Sequence, residues 1–203
     1  SLNEAIICSM NCLPIFPEPV SAIRARMSSC LFGTTAPVAG ADAGGAAGAG
    51  SSDPALLTLH NGQVYFVASD GVTGRELWRS NGTNNGTKLV ADISPGAAGS
   101  DPVSLTSAGK TLYFSADDGP AVPVPHGREL WKSSGTSKKS TTLVSDICPD
   151  TCDSNPSDLA VLNNLVFFAA DDGINGRELW KSNGKSGGTE LVKDIKVGSD
   201  TDS

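Results

Sequence analysis

The sequence predicts an all-β protein whose main part is three tandem four-stranded units stacked like blades, and three observations predict it. One phrase is written three times: Gly74-Arg75-Glu76-Leu77-Trp78 returns as Gly127-Arg128-Glu129-Leu130-Trp131 and again as Gly176-Arg177-Glu178-Leu179-Trp180. The other landmarks keep step with it. Pro54, Pro102 and Pro156 open the units, Phe66, Phe114 and Phe168 sit in their first apolar runs, and Asp92, Asp146 and Asp194 precede an isoleucine near each end. Finally, strand-length apolar runs alternate with Gly, Asn and Asp turn signals and no segment holds a helical period, so helix is expected to be scarce. A fixed period of this kind marks a repeat architecture, in which one unit cannot bury its own apolar face.

In the first unit, residues 56–59 read as a strand, Asn61-Gly62 as a two-residue hairpin turn, and 64–68 as the returning strand. Asp70-Gly71 begins the next turn, 75–79 form the third strand, 81–86 turn again, and 88–93 form the fourth. The second strand is apolar on both faces, with Val64, Phe66 and Ala68 alternating with Tyr65 and Val67; the other copies are 112–116 and 166–170. A sheet wet on one side would alternate apolar with polar residues. These sheets must be covered on both sides, and stacking unit on unit does that. Four-stranded sheets repeating at roughly 40–50 residues are the signature of propeller-like blades. The units span 53–100, 101–154 and 155–203, their prolines 48 and then 54 residues apart. Most of the extra length is the segment 120–125, in a loop, where added chain costs little.

Trp78, Trp131 and Trp180 are the large anchors, each able to bury on the order of 200 Å². A tryptophan repeated in every copy reads as core, with Phe66, Phe114 and Phe168; stacking on carbohydrate is the alternative. Glu76, Glu129 and Glu178 share a strand face with the tryptophans. With Asp92, Asp146 and Asp194 they are expected to pair with Arg75, Arg128 and Arg177 as one charge network per blade.

Residues 36–52 are almost all Ala and Gly and read as a flexible linker. Before it, residues 1–35 form an arm with three cysteines, Cys8, Cys12 and Cys30, and three prolines. The arm lacks the basic and apolar regions of a signal peptide and reads as the mature start of a processed protein. Cysteine usage points outside the cell. Cys148 and Cys152 bracket one short loop and are expected to form a local disulfide, which leaves one pair and one spare thiol among Cys8, Cys12 and Cys30.

No run of about 18 apolar residues exists to span a membrane. A net charge of −7 without a Lys/Arg cluster argues against nucleic acid as a partner. Two sequons, Asn81-Gly82-Thr83 and Asn85-Gly86-Thr87, share a loop and make Asn81 and Asn85 candidate glycosylation sites, although the same residues are ordinary turn chemistry. The prolines of 120–125 favour a stiff, extended loop that resembles hydroxyproline glycosylation modules. Calcium is weighed at Asp117-Asp118-Gly119 and Asp171-Asp172-Gly173, but a turn reading suffices there, and no cofactor or metal is expected. Neither His60 nor His126 has an Asp/Ser constellation near it and neither recurs in phase, so no enzyme is expected.

Residues 65–71, 74–87 and 89–93, with their counterparts in the other two copies, resemble the ELWxxDGT repeat family, whose pattern joins YFxAxDG, GxELW-[KR]-S-x-GT and LVxDI. The likeness spans about residues 53–200; the Asp of DGT is Asn81, Ser134 and Asn183 here. It implies secreted or surface proteins with propeller-like repeats and no assigned enzymatic activity. Three blades do not close a propeller, which takes roughly four to eight. Beyond Ile195, Gly198-Ser199-Asp200 echoes Gly99-Ser100-Asp101, and two apolar blade faces are expected to stay bare. The leading expectation is a structural subunit of an extracellular or cell-surface assembly, a homo-oligomer or filament built by blade stacking and arm exchange. The alternative is a secreted binding module for glycan or protein ligands.

Overall fold

The computed structural model describes residues 50–135 and 138–196. The arm with Cys8, Cys12 and Cys30, nearly all of the linker, and the echo at 198–200 lie outside the described residues. Blade 1 comprises β1 (Ala55–His60), β2 (Gln63–Ser69), β3 (Arg75–Ser80) and β4 (Lys88–Ala91). Blade 2 comprises β5 (Val103–Ala108), β6 (Thr111–Asp117), β7 (Arg128–Ser133) and β8 (Thr141–Ser145). Blade 3 comprises β9 (Ser157–Leu162), β10 (Leu165–Asp171), β11 (Arg177–Ser182) and β12 (Thr189–Lys193). Each is an antiparallel sheet whose strands lie side by side in chain order. A single 3-10 turn, Lys138–Ser140, is the helical element among the described residues.

Turn chemistry sets the hairpins. Asn61 and Gly62 both adopt positive φ, 48° and 72°, as a two-residue turn matched to strand twist requires, and Asn163 and Asn164 repeat it at 50° and 63°. The first strand of every blade holds a bulge that the sequence does not announce. Pairing passes from Ala55↔Val67 to Thr58↔Tyr65, and Leu56 between them sits at φ 56°. Ser104 and Asp158 occupy the same place at 58° and 54°. Such a bulge bends its strand and strengthens the local twist.

Paired residues point to the same side of a sheet, so register defines two faces per blade. On blade 1 the leading face carries Tyr65, Val67, Leu77 and Ala91, and the trailing face carries Val64, Phe66, Ala68 and Trp78. The leading face of blade 1, with Val90 and Ile93, packs on Leu112, Phe114 and Ala116 of the trailing face of blade 2, where Leu105 and Trp131 join it. The leading face of blade 2 repeats the contact on blade 3: Tyr113, Leu130 and Ile147 meet Val166, Phe168 and Ala170, joined by Leu159 and Trp180.

The crossover between blades is held by a buried carboxyl. Glu76, fully buried, accepts hydrogen bonds from the backbone N–H groups of Ser94 and Ser100 at 3.1 and 3.0 Å and from the Ser100 hydroxyl at 2.5 Å. Glu129 accepts from the N–H groups of Ile147, Cys148 and Ser154 and from the Ser154 hydroxyl. Pro102 and Pro156, just past these serines, are fully buried. Gly74 and Gly127 leave room for the crossover. A Cβ at Gly74 would overlap the backbone of Gly99, and one at Gly127 would lie 2.7 Å from the Cys152 carbonyl.

These contacts correct the expected charge network. The glutamates take backbone and hydroxyl donors because burial in a low-dielectric seam demands several close donors, which the crossover supplies on the spot. Arg75 instead reaches Asp101 at 3.3 Å, Arg128 the carbonyl of Asp101 at 2.9 Å, and Arg177 the carbonyl of Asn155 at 2.9 Å. Asp92 and Asp194 each keep one buried oxygen without a hydrogen bond.

Two outcomes follow from the seams and the latches. Leu77→Ala and Leu130→Ala should each cost about 2–5 kcal/mol in denaturant unfolding, and the in-phase Leu179→Ala clearly less, because Leu179 is exposed. Burial pushes the Glu76 and Glu129 carboxyls up to about 7, against donors that favour the charged form. A raised acid takes up a proton on folding between its unfolded value, 4.5, and about 7. The stability from these groups is therefore full below pH 4.5 and lost as pH rises through 7, and a pH series of unfolding curves should flatten there in Glu76→Gln, Glu129→Gln.

Candidate functional site

The repeat shows what each face looks like when covered, and among the described residues two faces are not. Leu77 and Leu130 are completely buried on leading faces, whereas Leu179 of blade 3 is 39% exposed. Ile93 and Ile147 are buried, whereas Ile195 is 69% exposed; Val192 is exposed where Val90 is buried. The trailing side of blade 1 mirrors this. Val64 is exposed where Leu112 and Val166 are fully buried, and Leu57 is 69% exposed where Leu105 and Leu159 pack into the seams. Phe114 and Phe168 are core, while Phe66 is half-buried on the bare face. Trp131 and Trp180 pack against the two clusters, Trp78 lies on the trailing face of blade 1, and all three indole N–H groups are buried without an acceptor.

Each seam also has a polar rim. The Tyr65 hydroxyl of blade 1 donates to the carbonyl of Gly135, in the β7–β8 loop of blade 2, at 3.1 Å. The Tyr113 ring packs on Gly184 of blade 3, where a Cβ would overlap its hydroxyl, and Lys132 Nζ donates to the Gly184 carbonyl at 2.5 Å. The turn after the third strand is thus a seat for the preceding blade. Gly82 is the in-phase seat of blade 1 and has no blade before it among the described residues.

The β2–β3 loops are closed by their own carboxylates. Asp70 Oδ1 accepts from the N–H groups of Val72 and Thr73 and the Thr73 hydroxyl, and Asp172 Oδ1 from those of Ile174 and Asn175. Burial works against the charged form of Asp70 and Asp172, but these donors outweigh it and hold both carboxyls below their usual value. Asp117 and Asp171 accept from Gly119 and Gly173. Among the described residues no three His, Cys, Asp or Glu gather to hold a metal.

Both histidines do acquire partners that their sequence surroundings did not indicate. His126 Nδ1 lies 2.6 Å from Asp118 Oδ2, and Asp118 Oδ1 also accepts the His126 backbone N–H, closing the inserted loop on itself. His60 is buried, its Nδ1 2.8 Å from the Ser107 hydroxyl and its Nε2 3.0 Å from Asn61 Nδ2. Asn61 Nδ2 can only donate, so Nδ1 carries the proton and donates to Ser107. These are two separate contacts, with the His60 pair tying the β1–β2 hairpin to β5.

Cys148 and Cys152 form the expected disulfide. It sits in the second crossover, and a Cβ at Gly173 of blade 3 would lie 3.2 Å from Cys148 Sγ. Ser94 holds the matching place against Gly119. Asn81 and Asn85 are both exposed on the β3–β4 loop. Asn81 Oδ1 accepts from the Thr83 N–H at 3.1 Å and from the Thr83 hydroxyl at 2.8 Å. No helix among the described residues is long and apolar enough to cross a membrane.

The buried glutamates were the functional groups hardest to assign from sequence. Their signal is a second phrase in phase with the first, Ser52-Asp53-Pro54, Ser100-Asp101-Pro102 and Ser154-Asn155-Pro156, whose serine is the one the preceding glutamate binds. No family model matches the chain, and no curated protein matches its sequence. Replacing Cys148 and Cys152 together by Ser should cost about 2 kcal/mol for so short a loop, measured as a shift in the denaturant midpoint with unchanged slope.

Proposed function

We propose that this chain is a non-enzymatic structural subunit of an extracellular assembly, such as a surface fibre, flagellar hair or matrix layer. In it the leading face of blade 3 of one copy docks on the trailing face of blade 1 of the next. One observation carries the reading: the two bare faces are the two halves of a contact that the chain makes twice within itself. We take the occupant of each face to be a second copy of this chain. Such a contact joins different patches on the two partners, so it gives a ring if its rotation closes and a filament if it does not.

The magnitudes say how strong one seam is. Full burial of a Leu, Ile or Val side chain is worth about 1.5–3 kcal/mol. Leu57, Val64, Leu179, Val192 and Ile195 are partly covered already, so together they supply on the order of 5–10 kcal/mol against an association cost of about 4–15 kcal/mol. Stacking by this seam alone is weak and concentration-dependent. A second tether raises it steeply through effective concentration, and the cysteine-bearing arm is our candidate for that tether. The extracellular setting is supported by the Cys148–Cys152 disulfide, which persists in oxidising compartments, by the two sequons, and by the resemblance to ELWxxDGT repeats.

Sedimentation velocity and negative-stain microscopy of the full chain test this. The wild type should grow in size with concentration, and Leu57→Asp and Leu179→Asp should each abolish growth with little loss of fold. Mixing the two variants should restore one intact seam and stop at dimers. A chain that stays monomeric at every concentration sinks the reading and moves attention to the loops as a ligand-binding surface.

A further inference from the structure

The seat on blade 1 differs chemically from the two seats that are occupied. At the covered seats the turns read Ser134-Gly135-Thr136 and Asn183-Gly184-Lys185, neither of which is a sequon. At the uncovered seat the turn reads Asn81-Gly82-Thr83, followed at once by Asn85-Gly86-Thr87, so both sequons of this loop fall on the one seat that no blade fills among the described residues. At a seam the seat is in direct contact: Gly135 accepts the Tyr65 hydroxyl, and Gly184 takes the Tyr113 ring and the Lys132 ammonium. On the opposite end, the in-phase residues that reach for a seat are Phe167 and Lys181.

We propose that an N-linked glycan on the 81–87 loop is a cap that stops stacking at blade 1. The inference rests on the stacking reading above. In the attachment step the Asn amide nitrogen forms a C–N bond to the anomeric carbon of an oligosaccharide carried on a lipid pyrophosphate. The anomeric C–O bond breaks, the lipid pyrophosphate leaves with the bonding pair, and the amide proton passes to a base of the transferase. The product places several hydrated sugar rings beside Gly82, where a neighbour's Phe167 ring would have to lie within van der Waals contact. Gly184 shows how little room that contact leaves, since even one added carbon there would overlap Tyr113. A branched sugar next to such a seat excludes the incoming blade and covers part of the apolar face carrying Leu57 and Val64. The leading face of blade 3 carries no matching sequon, so a capped copy still docks onto another copy and ends the stack in one direction only.

The test compares the full chain secreted from a glycosylating host with the same chain made in an oxidising bacterial host that attaches no sugar. Intact mass reads occupancy and sedimentation velocity reads assembly. The expected result is sugar on the loop and a concentration for assembly raised at least about tenfold, with Asn81→Gln, Asn85→Gln from the glycosylating host restored to the sugar-free value. Mixed with excess sugar-free chain, the glycosylated chain should shorten the assemblies. Equal assembly by both preparations, or no sugar on either asparagine, overturns the cap and leaves stacking standing. Failure of the sugar-free chain to assemble at all overturns stacking itself, and the cap with it.

Discussion

The buried glutamate at the start of each third strand is the interaction on which the arrangement of blades depends. Stacked sheets need a crossover that leaves the fourth strand of one blade and enters the first strand of the next at a fixed place. A short irregular segment has no ladder of its own to satisfy its N–H groups. Glu76 and Glu129 meet that need, each drawing in the residues just after the fourth strand and the serine just before the next first strand. Arginines brace the first crossover from outside: Arg75 reaches the Asp101 carboxylate and Arg128, from the next blade, reaches the Asp101 carbonyl. Once both ends of a crossover are fixed, apolar side chains on adjacent sheets have one register in which to meet.

That register makes the blade directional. Its leading face is built on Tyr or Phe, Leu and Ile, and its trailing face on Phe, Trp and small residues. A stack of such units presents unlike surfaces at its two ends, a trailing face on blade 1 and a leading face on blade 3. This accounts for one group of exposed apolar residues. Leu57, Val64, Leu179, Val192 and Ile195 lie on the first and last sheets, at positions whose in-phase partners inside the stack are buried or packed into a seam.

Much of this was legible because repetition multiplies weak signals. The strands of blade 1 lie within a residue or two of where turn residues and apolar runs place them, and Asn61-Gly62 turns as its composition demands. The disulfide followed from two cysteines bracketing one loop. The rest failed to show for physical reasons. Leu56, Ser104 and Asp158 share a left-handed backbone but no chemistry, because tertiary packing imposes the bulge and side-chain preference does not. Arg75 and Glu76 are neighbours in sequence and point to opposite sides of the strand, so the charge network read from their adjacency does not form. Phe66 is the same residue as Phe114 and Phe168 and differs in having no blade over it among the described residues, a fact that belongs to position in the stack rather than to sequence.

The disulfide beside the second latch makes the two seams unequal in a mechanical sense. Between blades 2 and 3 a covalent loop lies against the Gly173 turn, where between blades 1 and 2 a single serine hydroxyl meets Gly119. The bridge closes a five-residue loop within one crossover and joins no two blades, so it stiffens the path of the chain at the second seam and leaves the first crossover without that restraint.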